Sequence, residues 1–252
     1  MSGIASFFGL GLLLVRPGML VMGTPFFGAI NAPAQVRIGF TVLLAIVMAP
    51  FVAVPAQVSG ASLAIVIVRE VAIGLALASS IRVLIAAAEF AGQFTGYQIG
   101  LSLGSLIDPM SGVRNNLLAL LYANVAIVIC FATNAHHTLL RALVGSYSAL
   151  PLGTGGLDGS LAASVSHLLG LVFVLGVRIA APVIVVLVLV EVALGLLARV
   201  APSLNVMTAG APIRVIVGLL VVGASMTALP ALISRYVPTL FDVAVRTAQA
   251  FR

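Results

Sequence analysis

The side chains in this sequence that could do chemistry are few, and they do not converge. His136 and His137 are adjacent, so on a helix they point about 100° apart and cannot bind one metal ion as an i,i+4 pair would. The single cysteine, Cys130, lies in the apolar run IVICF and has the character of a small buried hydrophobe. Asp108 precedes Pro109, where an acid stabilises a turn. Because no Walker A, nucleophile-elbow or H-E-x-x-H motif is present either, we expect no enzymatic activity, metal or cofactor.

Charged residues inside apolar stretches are the second place where chemistry could reside. They are Arg16, Arg69, Glu70, Arg82, Glu89, Arg178 and Glu191. Charged groups within a bilayer ordinarily mark a transport pathway or a contact with a partner. The acids among them are too few for a proton relay. The favoured interpretation is therefore that these side chains pair with other helices or subunits or lie near the lipid headgroups, with a proton or ion relay as the alternative.

A polar, glycine-rich stretch, residues 89–116, differs from the aliphatic sequence around it. Its glycines recur at every fourth position, at Gly92, Gly96, Gly100 and Gly104. If the stretch is helical, this spacing presents a bare stripe for close helix packing. If it is not helical, its small polar residues indicate a loop that lines a cavity within protein. Spacing alone favours packing, whereas the run of polar residues that ends in Asp-Pro-Met-Ser-Gly favours the loop.

Composition places all of these residues in a membrane protein. Of the 252 residues, 62% are hydrophobic and 7% are charged, whereas a soluble domain carries roughly 25% charged residues. The net charge of +6 comes from arginine alone, which suits contact with anionic lipid headgroups. The arginines are scattered and lack interleaved aromatic residues, so we expect membrane lipids and no nucleic acid as partners.

Six apolar segments approach the length of about 20 residues that a membrane-spanning helix needs. They are residues 4–23, 38–58, 61–88, 117–131, 165–198 and 213–233. Pro17 removes a helix hydrogen bond inside the first segment and predicts a break there, and Pro182 predicts a kink in the fifth. The sequence therefore predicts an all-α polytopic membrane protein with about six hydrophobic helical segments, several of them kinked.

Several motifs follow one another in an order that resembles a known family. Arg16-Pro17-Gly18 comes first, then Arg69-Glu70, Ala91-Gly92-Gln93 and Asp108-Pro109. A loop at 198–214 adds Arg199, Pro202, Asn205, Pro212 and Arg214. Across residues 16–218 this order is similar to that of the FliR family of flagellar biosynthesis proteins, whose virulence counterparts are the T subunits of type III secretion export apparatuses.

The resemblance implies a core, non-enzymatic subunit of the flagellar type III protein export gate, located in the bacterial inner membrane within the flagellar basal body. The implied partners are FliP-like and FliQ-like membrane subunits, FlhB-like and FlhA-like export components, and unfolded exported proteins. The loop LGTGGLDGS at 152–160 predicts a boundary between two halves. Residues 1–150 then form a FliP-like helical half, 151–164 a linker, 165–234 a FliQ-like helical hairpin and 235–252 an amphipathic tail.

The resemblance also divides the glycine-rich stretch, because the family's pore plug matches a segment within residues 100–116. Residues 92–100 then form a packing helix, and residues 101–116 form a plug-like loop. A pore for unfolded chains of any sequence needs a constriction without specific pockets, and apolar side chains can seal it by excluding water. The residues implied in the seal and its turn are Leu101, Leu103, Leu106, Ile107, Asp108, Pro109 and Met110.

Two other functions remain open on the sequence. A virulence-type export-gate subunit would show the same motifs, so the sequence does not separate it from a flagellar one. A small-molecule secondary transporter would also combine broken helices with charges inside the membrane. Such transporters are built from repeats, and no clear repeat relates residues 1–150 to 165–252, which makes the transporter the weaker alternative.

Overall fold

Helices account for the regular structure in the computed structural model, which describes residues 2–27, 33–52, 60–101, 116–152, 161–201 and 206–249. The bounds are α1 Ser2–Gly23, α2 Ala34–Met48 with a 3₁₀ turn at Ala49–Phe51, α3 Gly60–Ile99, α4 Leu117–Ala132, α5 Ala135–Ala149, α6 Leu161–Val200, α7 Val206–Met226 and α8 Leu229–Gln249. Within these ranges no strand occurs. The predicted all-α class is confirmed.

Three helical stretches in the described ranges are long and apolar enough to cross a membrane: Ala34–Phe51, Leu63–Ile99 and Ser166–Val200. Two further spans are possible if bent pairs count as one each. Leu117–Ala132 and Ala135–Ala149 meet at 68°, and Gly210–Met226 and Leu229–Val245 meet at 54°. The first predicted segment forms a shorter apolar helix. The chain is thus polytopic and has bent segments, as predicted, although two bends lie at helix junctions rather than at the expected prolines.

The predicted break at Pro17 is wrong, because α1 runs through this residue without interruption. Proline cannot donate to the carbonyl four residues earlier, which here belongs to Leu13. The Tyr147 hydroxyl from α5 donates to that Leu13 oxygen at 3.3 Å. A neighbouring helix therefore supplies the hydrogen bond that proline withholds, which is how membrane helices tolerate proline. Helix α6 also continues through Pro182 without interruption.

The helices assemble into two compact units, each built from separate pieces of the chain. The first unit comprises Met1–Val83, Cys130–Leu168 and Arg235–Arg252, and the second comprises Leu84–Ile129 and Leu169–Ser234. Each unit thus draws on residues from both sides of the 151–164 linker. The predicted FliP-like half and FliQ-like hairpin are consecutive stretches of the sequence and do not correspond to these two units. That division stays a prediction.

Helix α8 shows how pattern determines packing in this chain. Its buried residues are Leu229, Ile233, Val237, Leu240, Phe241 and Ala244. They repeat at intervals of three and four residues and so form one apolar stripe. The amphipathic tail was predicted over residues 235–252. In the structure the stripe begins earlier, at Leu229, because Pro230 lies in the first turn of α8, where a missing N–H group costs nothing.

Candidate functional site

A fully buried ion pair lies within the first compact unit. The Arg16 Nε atom donates to Glu70 Oε2 at 2.7 Å, and Arg16 Nη2 donates to Glu70 Oε1 at 3.0 Å. Both side chains are 0% exposed. Parallel hydrogen bonds between a guanidinium fork and a carboxylate are among the strongest that proteins form. The structure thus joins two of the predicted charged residues, from α1 and α3.

Further contacts of the Arg16 side chain come from the end of α5. Arg16 Nη1 donates to the Ser146 hydroxyl at 2.8 Å, and Nη2 also donates to the Leu150 carbonyl oxygen at 3.1 Å. The Tyr147 ring covers the guanidinium carbon, with 4.2 Å between that carbon and the ring centroid. We call Arg16, Glu70, Ser146, Tyr147 and Leu150 the Arg16 hub. The hub ties three helices together and also satisfies a carbonyl at the C-terminal end of α5.

Glycine lets α1 and α3 approach closely enough to form the Arg16 hub. A Cβ atom added to Gly74, one turn after Glu70, would lie 2.7 Å from the Arg16 carbonyl oxygen and 2.7 Å from Met19 Cβ. Where the contact between α1 and α3 ends, a Cβ atom added to Gly23 would lie 2.6 Å from Ala78 Cβ. Neither glycine was among the predicted packing positions, although the small-xxx-small spacing of Gly74 and Ala78 was a usable signal.

In the second unit, Gly92 and Gly96 lie where α3 meets the start of α4. A Cβ on Gly92 would lie 2.5 Å from the Leu118 carbonyl oxygen and 2.6 Å from Ala119 Cα, and a Cβ on Gly96 would overlap the Asn116 side chain. Only glycine admits the α4 backbone this closely. The neighbour at both positions is a helix of the same chain.

Asn116 fastens the start of α4 to α3. Its Oδ1 atom accepts a hydrogen bond from the Leu118 N–H at 3.0 Å, as an N-cap side chain does. Its Nδ2 atom donates to the Gln93 carbonyl oxygen at 3.1 Å. One side chain therefore caps α4 and also binds the backbone of α3.

Gly100 ends α3 rather than extending its packing stripe. It has a φ of 95°, a conformation that residues with a Cβ rarely adopt. The Leu101 N–H donates to the Gly96 oxygen at 3.0 Å, and the Gly100 N–H donates to the Tyr97 oxygen at 3.1 Å. This pair of bonds is the Schellman motif that closes a helix C-terminus. The packing helix therefore ends where the predicted plug-like loop begins.

Several predicted site residues lie outside the described residues. They are Leu103, Gly104, Leu106, Ile107, Asp108, Pro109, Met110, Pro202 and Asn205. Of the predicted seal, Leu101 alone is described, and its side chain is exposed. The plug and the loop motif stay predictions.

The other predicted charges occupy different surroundings. Arg69 is buried next to Glu70 in sequence, whereas Glu89 and Arg178 are exposed. Arg82 Nη1 donates to the Gly23 carbonyl oxygen at 3.3 Å, so it caps the end of α1. Glu191 and Arg214 form a half-exposed ion pair with 3.7 Å between Oε1 and Nε.

Arg214 belongs to the predicted loop motif, so one loop-motif residue pairs with one of these charges. Arg199 is exposed in the last turn of α6, and Pro212 is exposed within α7. Across the part of the chain that the structure describes, no three His, Cys, Asp or Glu residues are grouped so that they could hold a metal ion.

Comparison with known proteins gives a consistent result over most of the chain. Residues 7–240 match the family described as Bacterial export proteins, family 1. The chain is 29% identical to the flagellar biosynthetic protein FliR of Bacillus subtilis over 221 residues, covering 86% of this chain and 85% of the relative. It is 29% identical to the Escherichia coli protein of the same name over 232 residues, covering 91% and 87%. Similarity to the Yop proteins translocation protein T of Yersinia pestis is 29% over 160 residues, covering 63% and 61%.

Proposed function

Because the chain belongs to family 1 of the bacterial export proteins, we propose that it is a core membrane subunit of the flagellar type III protein export gate. The observation that carries the proposal is similarity to FliR proteins over 86% and 91% of the chain. Similarity to the virulence-type translocation protein covers 63% of the chain, which favours the flagellar system over its virulence counterpart. In this role the subunit helps to form and to plug the pore for unfolded flagellar subunits.

The geometry on either side of residues 102–115 supports the plug. The chain leaves α3 at Gly100, where the Schellman motif closes the helix, and it enters α4 at Asn116, which is bonded to Gln93 of α3. The points of departure and return are therefore adjacent and firmly held. A loop anchored in this way can project into a pore without loosening the helices that carry it. Its leucines, Ile107 and Met110 would form the apolar seal.

The proposed partners are FliP-like and FliQ-like membrane subunits together with FlhB-like and FlhA-like export components, in the bacterial inner membrane. Large apolar residues on described helices support such contacts, because α2 exposes Ile38 and Ile46 and α6 exposes Leu189 and Leu196. A monomeric soluble protein rarely exposes such faces, whereas a subunit in a membrane assembly covers them with lipid or with neighbours. The subunit works by packing and sealing, so we propose no catalytic activity.

Gene deletion and affinity purification of the chain test the proposed function. Deleting its gene is expected to abolish flagellar filaments and swimming, and an affinity-tagged copy should restore both. The same tagged copy, extracted from membranes in mild detergent, should bring down FliP-like and FliQ-like subunits. A deletion strain that still swims would contradict the proposal, as would a tagged chain that isolates alone and transports a solute in liposomes.

Removal of residues 104–112 tests the plug separately. This deletion is expected to make the resting membrane leak ions and small solutes, while the chain still inserts and still assembles with its partners. Leakage can be measured as growth inhibition by a normally excluded solute and as dye efflux from vesicles that hold the assembled gate. A control deletion of residues 154–158, in the predicted linker, should leave the membrane tight. Normal export and a tight membrane without residues 104–112 would show that another element forms the plug.

A further inference from the structure

An apolar groove of about 510 Å³ lies in the first compact unit, where Tyr147 of the Arg16 hub forms part of its lining. One wall is formed by the end of α2 and its 3₁₀ turn, including Val47 and Phe51. The other is the last turns of α5, including Val144, Gly145 and Ser148. Phe51 is 81% exposed, so the groove is open on this side. No atom lies within 4 Å of a Cβ placed on Gly145, which leaves the middle of the groove empty.

The groove is unsuited to a water-soluble ligand. Its volume falls in the range of roughly 300–1,000 Å³ that is typical of ligand pockets, but those pockets combine apolar walls with convergent polar groups. Here Ser148 and Tyr147 carry the lining hydroxyls, and the Ser148 hydroxyl donates to the Gly145 carbonyl oxygen. The Tyr147 hydroxyl is occupied by Leu13. The walls thus offer hydrocarbon contact and little else.

One cation lies on the groove's face of α5. Arg141 precedes Val144, Gly145 and Ser148 by three, four and seven residues, which places all four on one face of the helix. At 1.5 Å per residue, Arg141 lies about 10 Å along the helix axis from Ser148. Its side chain is exposed, and no acid among the described residues is within ion-pair distance of it. The groove is therefore an apolar channel with a basic group beyond one end.

We propose that this groove binds one anionic phospholipid, with an acyl chain between α2 and α5 and the phosphate at Arg141. The pairing of hydrocarbon walls with the outlying Arg141 matches an amphiphile that carries a negative headgroup. Basic residues near a membrane surface attract such headgroups. The α2 wall belongs to Ala34–Phe51, a candidate membrane span of which only 11% is buried, so lipid has direct access to it. Lipid in the groove would fill the space between α2 and the end of α5 that carries Ser146 and Leu150.

Photolabelling of the full chain tests the proposal. The chain is reconstituted in phosphatidylcholine nanodiscs that contain a minor fraction of phosphatidylglycerol with a photoreactive diazirine on one acyl chain. Labelled peptides are then identified by mass spectrometry, with an equivalent phosphatidylcholine probe for comparison. Labelling should concentrate on residues 47–52 and 144–148 and should favour phosphatidylglycerol. Arg141→Gln should lower the preference about fivefold, the effect of one basic residue near an anionic surface.

Two variants complete the design. Gly145→Leu should suppress labelling of the groove by both probes without unfolding the chain, because its side chain enters empty space and leucine favours a helix. Arg235→Gln, at an exposed arginine on α8 that does not line the groove, should change neither pattern. Uniform labelling of all exposed apolar helices, unaffected by Gly145→Leu, would overturn the proposal. So would groove labelling that disappears when the other gate subunits are co-expressed, because a protein would then occupy the site.

Discussion

Replacing Arg16 by methionine is expected to lower the free energy of unfolding by about 3–5 kcal/mol, the cost of leaving a buried charge without its partner. The substitution keeps an apolar stem of similar length but removes both hydrogen bonds to Glu70 and those to Ser146 and Leu150. Glu70 would then stay fully buried without the two hydrogen bonds that Arg16 donates to it. The change can be measured by unfolding the purified chain in mixed micelles of increasing denaturing detergent.

Three variants separate the roles of the Arg16 hub. The double change Arg16→Met with Glu70→Met should recover much of the lost stability, because apolar residues of similar volume often replace a buried ion pair at little cost. Arg16→Lys should fall between wild type and Arg16→Met, since an ammonium cannot bind the carboxylate through two parallel hydrogen bonds. Arg235→Met removes an exposed arginine and should have little effect. If Arg16→Met unfolds at the wild-type detergent fraction, the hub does not stabilise this unit.

The hub shows which part of the structure was predictable from the sequence. Arg16 and Glu70 stand out because charge is rare in apolar segments, and that rarity predicts partners. It does not identify them, because Arg16 is separated from Glu70 by 54 residues and from Ser146 by 130. Local rules also misjudged Pro17. These rules consider the hydrogen bond that proline cannot make within its own helix. They do not consider the hydrogen bond that Tyr147 donates from another helix.

The glycine-rich stretch shows a second limit. A four-residue glycine spacing predicts a helix with a bare stripe, and α3 does present Gly92 and Gly96 in this way. The same spacing predicts that Gly100 also belongs to the stripe. In the structure Gly100 has a positive φ, and the helix ends there. The spacing of residues predicts which face of a helix they share. It does not predict where the helix ends, because the end depends on the backbone conformation of single residues. The seal predicted beyond Gly100 rests on resemblance and on the chemistry of a pore, not on the spacing.

Replacing Gly92 by leucine is expected to destabilise the second unit by about 3 kcal/mol, at the upper end of the usual cost of overpacking. The new Cβ atom would meet the Leu118 oxygen and Ala119 Cα, which belong to the α4 backbone and cannot rotate away. Relief would require α4 to shift, and that shift would strain the Asn116 hydrogen bonds to Leu118 and Gln93. Unfolding in denaturing detergent measures the stability loss, and swimming of complemented cells measures its consequence for export.

Gly223→Leu is the matched control, because it makes the same substitution within a helix of the same unit. A Cβ on Gly223 has no atom within 4 Å, so a leucine there enters open space. It should be neutral or stabilising by up to about 1 kcal/mol, the difference in helix propensity between glycine and a good helix former. Comparison of the two variants cancels the change in propensity and leaves the steric cost at Gly92. If both variants unfold alike, α3 and α4 do not require glycine to meet. The anchor proposed for the plug would then depend on the hydrogen bonds of Asn116 and on the closure of α3 at Gly100.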